Sequence, residues 1–308
     1  MNLRKVGVVG CGFVGSATAF ALMQSKLYSE MVLVDVAKDK AEGEALDISD
    51  GLPYAAPMEI YNGEYSDLAD ASLIIITAGA NQKPGESRLD LVNKNEKIME
   101  SVISEIKKIN FEGMLLIVSN PVDILTYKAL KLSGFDESRV IGSGTVLDTA
   151  RLKDKISQHL TVNSQNVHTM IIGEHGDSEV PLWSITNISG VPLNDFCEFR
   201  GFYNHADGMQ KLYESVRDSA YKIIEKKGAT YYGIAMAVTR IAKSIVMDEH
   251  AILPVSTILH GQYGIEDVCL SVPSIVGRNG VEKALEIELS DNELGALRKS
   301  AEELKEYL

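Results

Sequence analysis

The feature that most constrains this chain lies near its start, in VGVVGCGFVGSATAFAL. There Gly10, Gly12 and Gly15 form G-x-G-x-x-G between a strand-like apolar run and a helix of small residues. Each glycine has a physical task. The first permits a tight turn, the second lets backbone approach a pyrophosphate, and the third lets the helix lie close to the sheet. The helix that follows, entered through Phe13 and Val14, turns free amides and partial positive charge toward phosphate. Asp35 closes the next apolar run, 20 residues beyond Gly15, where a carboxylate accepts hydrogen bonds from ribose hydroxyls. It also repels a 2′-phosphate, so the pattern predicts NAD over NADP.

This βαβ opening sets the reading of residues 1–142. Short apolar runs at Val6–Val9, Met31–Val36, Leu73–Thr77, Met114–Ser119 and Val140–Ile141 alternate with helix-like stretches at Ser16–Gln24, Lys38–Ser49 and Leu89 to about Ile109. The alternation predicts an α/β domain of the Rossmann type, a doubly wound parallel sheet covered by helices. Two strand exits complete the predicted cofactor edge. Thr77, Ala78, Gly79 and Ala80 are small enough to pass beside a cofactor, and Ser119 with Asn120 opens a turn from which Asn120 could reach the nicotinamide or the substrate. From 143 to 308 the texture changes to a mixed α+β catalytic domain. It carries a strand over Val167–Ile172 and long helices over Gly208–Lys227 and Tyr231–Met247, the first with Leu212, Val216, Ala220 and Ile223 as core. Ser290 and Glu293 stand in capping-box spacing before a C-terminal docking helix.

Composition narrows the function classes. The net charge of −13 opposes approach to nucleic acid and anionic membrane, and no basic patch offsets it. No apolar run reaches the roughly 18 to 20 residues of a membrane span, and MNLRKVGVV passes directly into a strand without a leader's apolar core, so a cytoplasmic protein is expected. Cys11, Cys197 and Cys269 are too scattered for a disulfide framework or a zinc site, and no metal is expected. An acidic protein that handles an anionic substrate must concentrate positive charge locally, which directs attention to individual arginines.

Hydride transfer to or from a hydroxy acid requires a carboxylate clamp, a base for the hydroxyl proton and a group that polarises the carbonyl. Asp148 and Arg151 in LDTAR lie three residues apart, on one face of a predicted helix. His175 lies in the glycine-flanked loop GEHGDS, and Arg88 in NQKPGESRLD at a predicted loop-to-helix junction. With GCGFVG and Asp35, the segments AGANQKPGESRLDLVNKN, SNPVDILTY, GSGTVLDTAR, IIGEHGDSEVPLWS and KGATYYG resemble the L-lactate dehydrogenase family in order and spacing over nearly the whole chain.

The resemblance implies NAD as cofactor and pyruvate with L-lactate as substrates. It makes His175 the proton donor and acceptor, with an ordinary imidazole pKa near 6.5 that allows both forms, and Asp148 its orienting partner. Arg151 becomes the two-pronged clamp on the substrate carboxylate, Arg88 a loop-borne stabiliser of charge on the reacting oxygen, and Thr230 a wall of the substrate pocket. Gln82 occupies the position where malate enzymes carry arginine. A neutral side chain there suits a methyl group, whereas oxaloacetate would bury an unpaired second carboxylate. Bacterial relatives bind fructose 1,6-bisphosphate at positions that match Lys153 and His168, and the family forms homotetramers. The chain starts at the first strand, without the N-terminal arm of vertebrate relatives. Two alternatives are a malate dehydrogenase and a catalytically inactive nucleotide-binding relative.

Overall fold

The computed structural model describes residues 1–80, 88–203 and 205–308, without the side chains of residues 88, 205 and 206. Its first part runs β1 (Asn2–Val9), α1 (Phe13–Ser25), β2 (Glu30–Val34), α2 (Lys38–Asp50), β3 (Glu59–Asn62), β4 (Ala71–Ile76), α3 (Arg88–Lys108), β5 (Met114–Ile117), α4 (Val122–Ser133) and β6 (Val140–Gly142). The second part begins with α5 (Val146–Leu160), β7 (Val167–His168), β8 (Ile171–Ile172), β9 (Val180–Pro181), β10 (Asn187–Ile188), β11 (Val191–Pro192) and α6 (Leu193–Phe199). It continues through α7 (His205–Arg217), α8 (Ser219–Lys227), α9 (Tyr232–Met247), β12 (Ala251–His260), β13 (Glu266–Gly277), β14 (Gly280–Ala284) and α10 (Asp291–Lys305).

The first six strands are parallel in the order β3-β2-β1-β4-β5-β6, which is the doubly wound arrangement predicted from the sequence. Side-chain alternation along them feeds two cores. Val6, Val8, Leu73, Ile75 and Leu116 meet Leu22 of α1, Ile48 of α2 and Val238 and Ile241 of α9. Ile74, Ile76, Leu115 and Ile117 meet Met99, Ile103 and Ile106 of α3 and Leu125 of α4. The sheet order reverses between β1 and β4, so a crevice opens at their carboxyl ends.

The antiparallel β12–β13 hairpin joins this sheet beside β6 and, with β14, extends it to nine strands. No expectation from the sequence covered it. Pro254 and Pro273 argue against a strand, yet they sit opposite each other in register, so their missing donors fall at one rung. Short, half-exposed β3 was missed for a different reason: its edge position shows no apolar run.

Two further expectations need correction. Val167–Ile172 is not one strand, because β7 pairs with β10 whereas β8 pairs with β9. The single helix expected over Gly208–Lys227 is interrupted at Asp218, where ψ is −5°. Val216 on α7 is buried in a cluster with Leu152 and Ile156 of α5, but α8 has no buried residue, so Ala220 and Ile223 are not core. The C-terminal capping box is present: Ser290 Oγ accepts from Glu293 N–H while the Glu293 carboxylate accepts from Ser290 N–H at 2.9 Å. No helix among the described residues is long and apolar enough to cross a membrane.

Candidate active site

The glycine-rich turn is held from three sides. Gly10 has φ +98°, and a Cβ there would lie 2.6 Å from the Ala78 amide nitrogen. A Cβ on Gly15 would lie 1.8 Å from the Gly10 carbonyl oxygen, so that position tolerates glycine alone. Thr77 Oγ1 donates to Gly10 O at 2.7 Å, and the Asp35 carboxylate accepts from Cys11 N–H at 2.6 Å and Ala37 N–H at 2.8 Å. Asp35 therefore orders the turn and retains lone pairs for a ribose.

Gly12 differs: nothing lies within 4 Å of where its Cβ would be. It faces a cavity of about 640 Å³ at the carboxyl ends of β1, β2 and β4, lined among others by Gly10, Asp35, Thr77, Ala78 and Gly79. An open cradle beside a helix N-terminus, with a carboxylate at its far wall, fits a dinucleotide. Phe13 is exposed and stacks on Tyr231 with ring centroids 5.4 Å apart, which brings the turn against the segment that carries half-buried Thr230. Val14 is half-buried against the first core. Ala80 and Ser119 act as scaffold: Ser119 Oγ donates to Ala78 O at 2.6 Å, and Ala80 N–H donates to Asn95 Oδ1 at 2.7 Å. Buried Asn95 also donates to Asn120 O at 2.7 Å and thereby ties the β4 and β5 exits together. The sequence reading missed Asn95, although its place inside the VNKN motif was a signal. Asn120 itself is exposed at this edge.

The catalytic candidates converge. Thr145 Oγ1 donates to Ile171 O at 2.6 Å and Thr149 Oγ1 accepts from Ile171 N–H at 2.9 Å, so the start of α5 is pinned to β8. One turn of helix then sets Asp148 and Arg151 on the face toward the β8–β9 loop. Gly173, at φ +89°, exchanges backbone hydrogen bonds with Ser271. Glu174 N–H donates to Ser300 Oγ at 2.9 Å, and His175 N–H donates to Asp123 Oδ2 at 2.8 Å. The loop is thus fixed by α4, α10 and β13 before any side chain of His175 is considered.

Asp148 Oδ2 accepts from His175 Nδ1 at 2.6 Å, while its Oδ1 accepts from Arg151 Nη1 at 2.8 Å. A carboxylate only accepts, so Nδ1 bears hydrogen and Nε2 is the free nitrogen. Burial would lower the His175 pKa, but the charge and hydrogen bond of Asp148 outweigh it and raise the value to about 9. Burial would likewise raise the Asp148 carboxyl, yet His175 and Arg151 hold it below the usual carboxylate range. Burial pushes Asp123 upward, only partly offset by the hydrogen bond from His175 N–H. The sequence reading assigned no role to Asp123; its place in SNPVDILTY, at the start of a helix otherwise buried, was the available signal.

Gln82 lies outside the described residues, as does the side chain of Arg88, whose backbone opens α3. Lys153, half-buried on α5, and His168, exposed on β7, do not line the cofactor cavity. Burial lowers the Lys153 pKa and the nearby Arg240 charge adds to the effect.

A doubly wound crevice, together with an imidazole and a guanidinium joined through one carboxylate and tied to the helix after β5, marks the class of NAD-dependent dehydrogenases. Residues 4–142 match the lactate/malate dehydrogenase NAD binding domain and residues 145–308 the lactate/malate dehydrogenase alpha/beta C-terminal domain. The chain belongs to the lactate/malate dehydrogenase family, and its cofactor is NAD. It is 53% identical over 306 residues to L-lactate dehydrogenase of Acetivibrio thermocellus, covering 99% of this chain and 96% of that protein. It is 54% identical over 306 residues to L-lactate dehydrogenase 1 of Clostridium acetobutylicum, covering 99% and 97%. Among solved structures, the ligand-bound minor L-lactate dehydrogenase of Enterococcus mundtii superposes with a TM-score of 0.96 at 44% identity, covering 99% of this chain and 97% of that one.

Proposed function

We propose that this chain interconverts pyruvate and L-lactate. One observation carries the chemistry: buried Asp148 holds both His175, at 2.6 Å, and Arg151, at 2.8 Å, in a single half-buried cluster. NAD supplies the hydride in its reduced form and takes it up in its oxidised form. Arg151, whose Nη1 is committed to Asp148, offers its remaining donors to the substrate carboxylate. His175 Nε2 gives its proton to the carbonyl oxygen during reduction and takes the hydroxyl proton during oxidation, and Asp148 keeps the imidazolium oriented and charged. Arg88 completes the charge stabilisation on the reacting oxygen, Thr230 and Asn120 bound the pocket, and Gln82 selects a methyl over a second carboxylate.

A homotetramer and a cytoplasmic location accompany this proposal. Exposed Phe20, Leu46, Tyr232, Met236 and Met247 on α1, α2 and α9 favour assembly, and three free buried cysteines suit a reducing compartment. Lys153 with neighbouring Arg240, and His168 on the strand packed against α5, support a fructose 1,6-bisphosphate site.

The test is initial rates of NADH oxidation with pyruvate, 2-ketobutyrate and oxaloacetate, each with and without fructose 1,6-bisphosphate. Pyruvate is expected to give the highest kcat/KM. Preference for oxaloacetate would make the chain a malate enzyme, and no turnover with any keto acid would make it an inactive relative. A pyruvate saturation curve unmoved by the sugar bisphosphate would remove the effector.

A further inference from the structure

Glu179 is a buried acid beside this cluster to which the proposed mechanism gives no part. It closes the β8–β9 loop: Ile172 pairs with Val180, so Glu179 stands at the base of the same hairpin connection that carries His175. Its residue is 6% exposed and its Oε1 has no hydrogen-bond partner among the described residues. The backbone is fixed, since Tyr213 Oη of α7 donates to Glu179 O at 2.8 Å. The groups that act on it are Asp148 and Arg151 from α5, His175 from its own loop, and Arg217 and Tyr213 from α7; Asp177 lies beside Tyr213, and Asp123 faces His175 from α4.

A buried carboxylate oxygen without a donor is costly, whereas a neutral carboxyl group carries a smaller desolvation penalty and a proton to donate. The Asp148 charge opposes ionisation, and an arriving keto acid brings a further carboxylate to Arg151. Both favour the protonated form in the loaded site. We propose that Glu179 is a positioning residue with its own proton switch: its neutral carboxyl is required for tight keto-acid binding, and its ionisation weakens that binding independently of His175. This rests on the pyruvate-reducing activity proposed above. Burial first, then the Asp148 charge, raises the Glu179 pKa to about 8, so its proton loss, like that of His175, falls in the alkaline range.

The test is the affinity of the NADH complex for oxamate, a non-reducible pyruvate analogue, between pH 6.5 and 10, in the wild type and in Glu179→Gln. Two proton losses should weaken wild-type binding toward roughly 100-fold per pH unit at the alkaline end; the neutral isostere should weaken about tenfold per unit, and Glu179→Asp should restore the steeper course. Parallel profiles for wild type and Glu179→Gln would overturn the inference. Should Glu179→Gln not fold, proton uptake by the wild type on oxamate binding at pH 9.5 decides: more than one proton per site is expected, and one or fewer overturns it. A wild type that oxidises NADH with pyruvate while failing these tests loses only the Glu179 switch; one that does not oxidise NADH loses the activity beneath it.

Discussion

The substitution Asp148→Asn removes the charge that holds both cationic side chains of the proposed site while keeping the side chain's shape. The rise in the His175 pKa from 6.5 to about 9 corresponds to about 3 kcal/mol at roughly 1.4 kcal/mol per unit. That is the size expected of one charge pair near 4 Å at an effective dielectric of about 20, roughly 4 kcal/mol, less the burial that opposes it. Without the carboxylate, burial is opposed only by the weaker charges of Asp123 and Glu179, and the pKa should fall to about 6.5 or below. At pH 7.5 the imidazolium would then drop from nearly all molecules to about a tenth or fewer, and kcat/KM for pyruvate should fall by at least tenfold on this account alone. Reduction needs the protonated ring, so at saturating pyruvate, where keto-acid binding no longer limits, the wild-type rate should decline as pH rises through about 9, whereas the decline in the variant should come more than two units earlier. Initial rates of NADH oxidation across pH, with NADH affinity measured separately by fluorescence, give both quantities. A variant whose pyruvate profile still breaks near 9 would refute the electrostatic role of Asp148.

Further outcomes follow from the geometry and the substrate assignment. Gly15→Ala should prevent folding or destabilise by more than about 4 kcal/mol, because its Cβ meets backbone at 1.8 Å, as read by thermal unfolding. Gly12→Ala should fold normally but bind NADH at least about tenfold more weakly, since its Cβ would enter space left open for the cofactor. Asp35→Asn should lower the NADH-to-NADPH preference in kcat/KM, as it removes the charge that repels a 2′-phosphate; an unchanged ratio would remove that role. Gln82→Arg should shift the kcat/KM ratio toward oxaloacetate, and an unmoved ratio would show that another residue selects the substrate.

Much of the site was legible because it is written in short motifs whose backbone demands are local. Gly10, Gly12 and Gly15 mark a turn, and the three-residue spacing of Asp148 and Arg151 fixes a common helix face. What was not legible depends on partners distant in sequence. Asn95, Thr145, Thr149 and Ser300 act by holding loops through hydrogen bonds across the fold, and nothing in their own neighbourhoods names those partners. The β12–β13 hairpin was hidden by prolines whose cost disappears only once Pro254 and Pro273 are seen in register. The misjudged core of α8 has a similar origin: helical periodicity marks an apolar stripe, but whether another element covers it is decided by tertiary packing.

The most direct check on the whole account is a crystal structure with NADH and oxamate bound together. The inhibitor's carboxylate should lie within hydrogen-bonding distance of two Arg151 nitrogens, with its carbonyl oxygen on His175 Nε2 and its carbon facing the nicotinamide. An inhibitor seated elsewhere, or an imidazole turned away from it, would contradict the assignment.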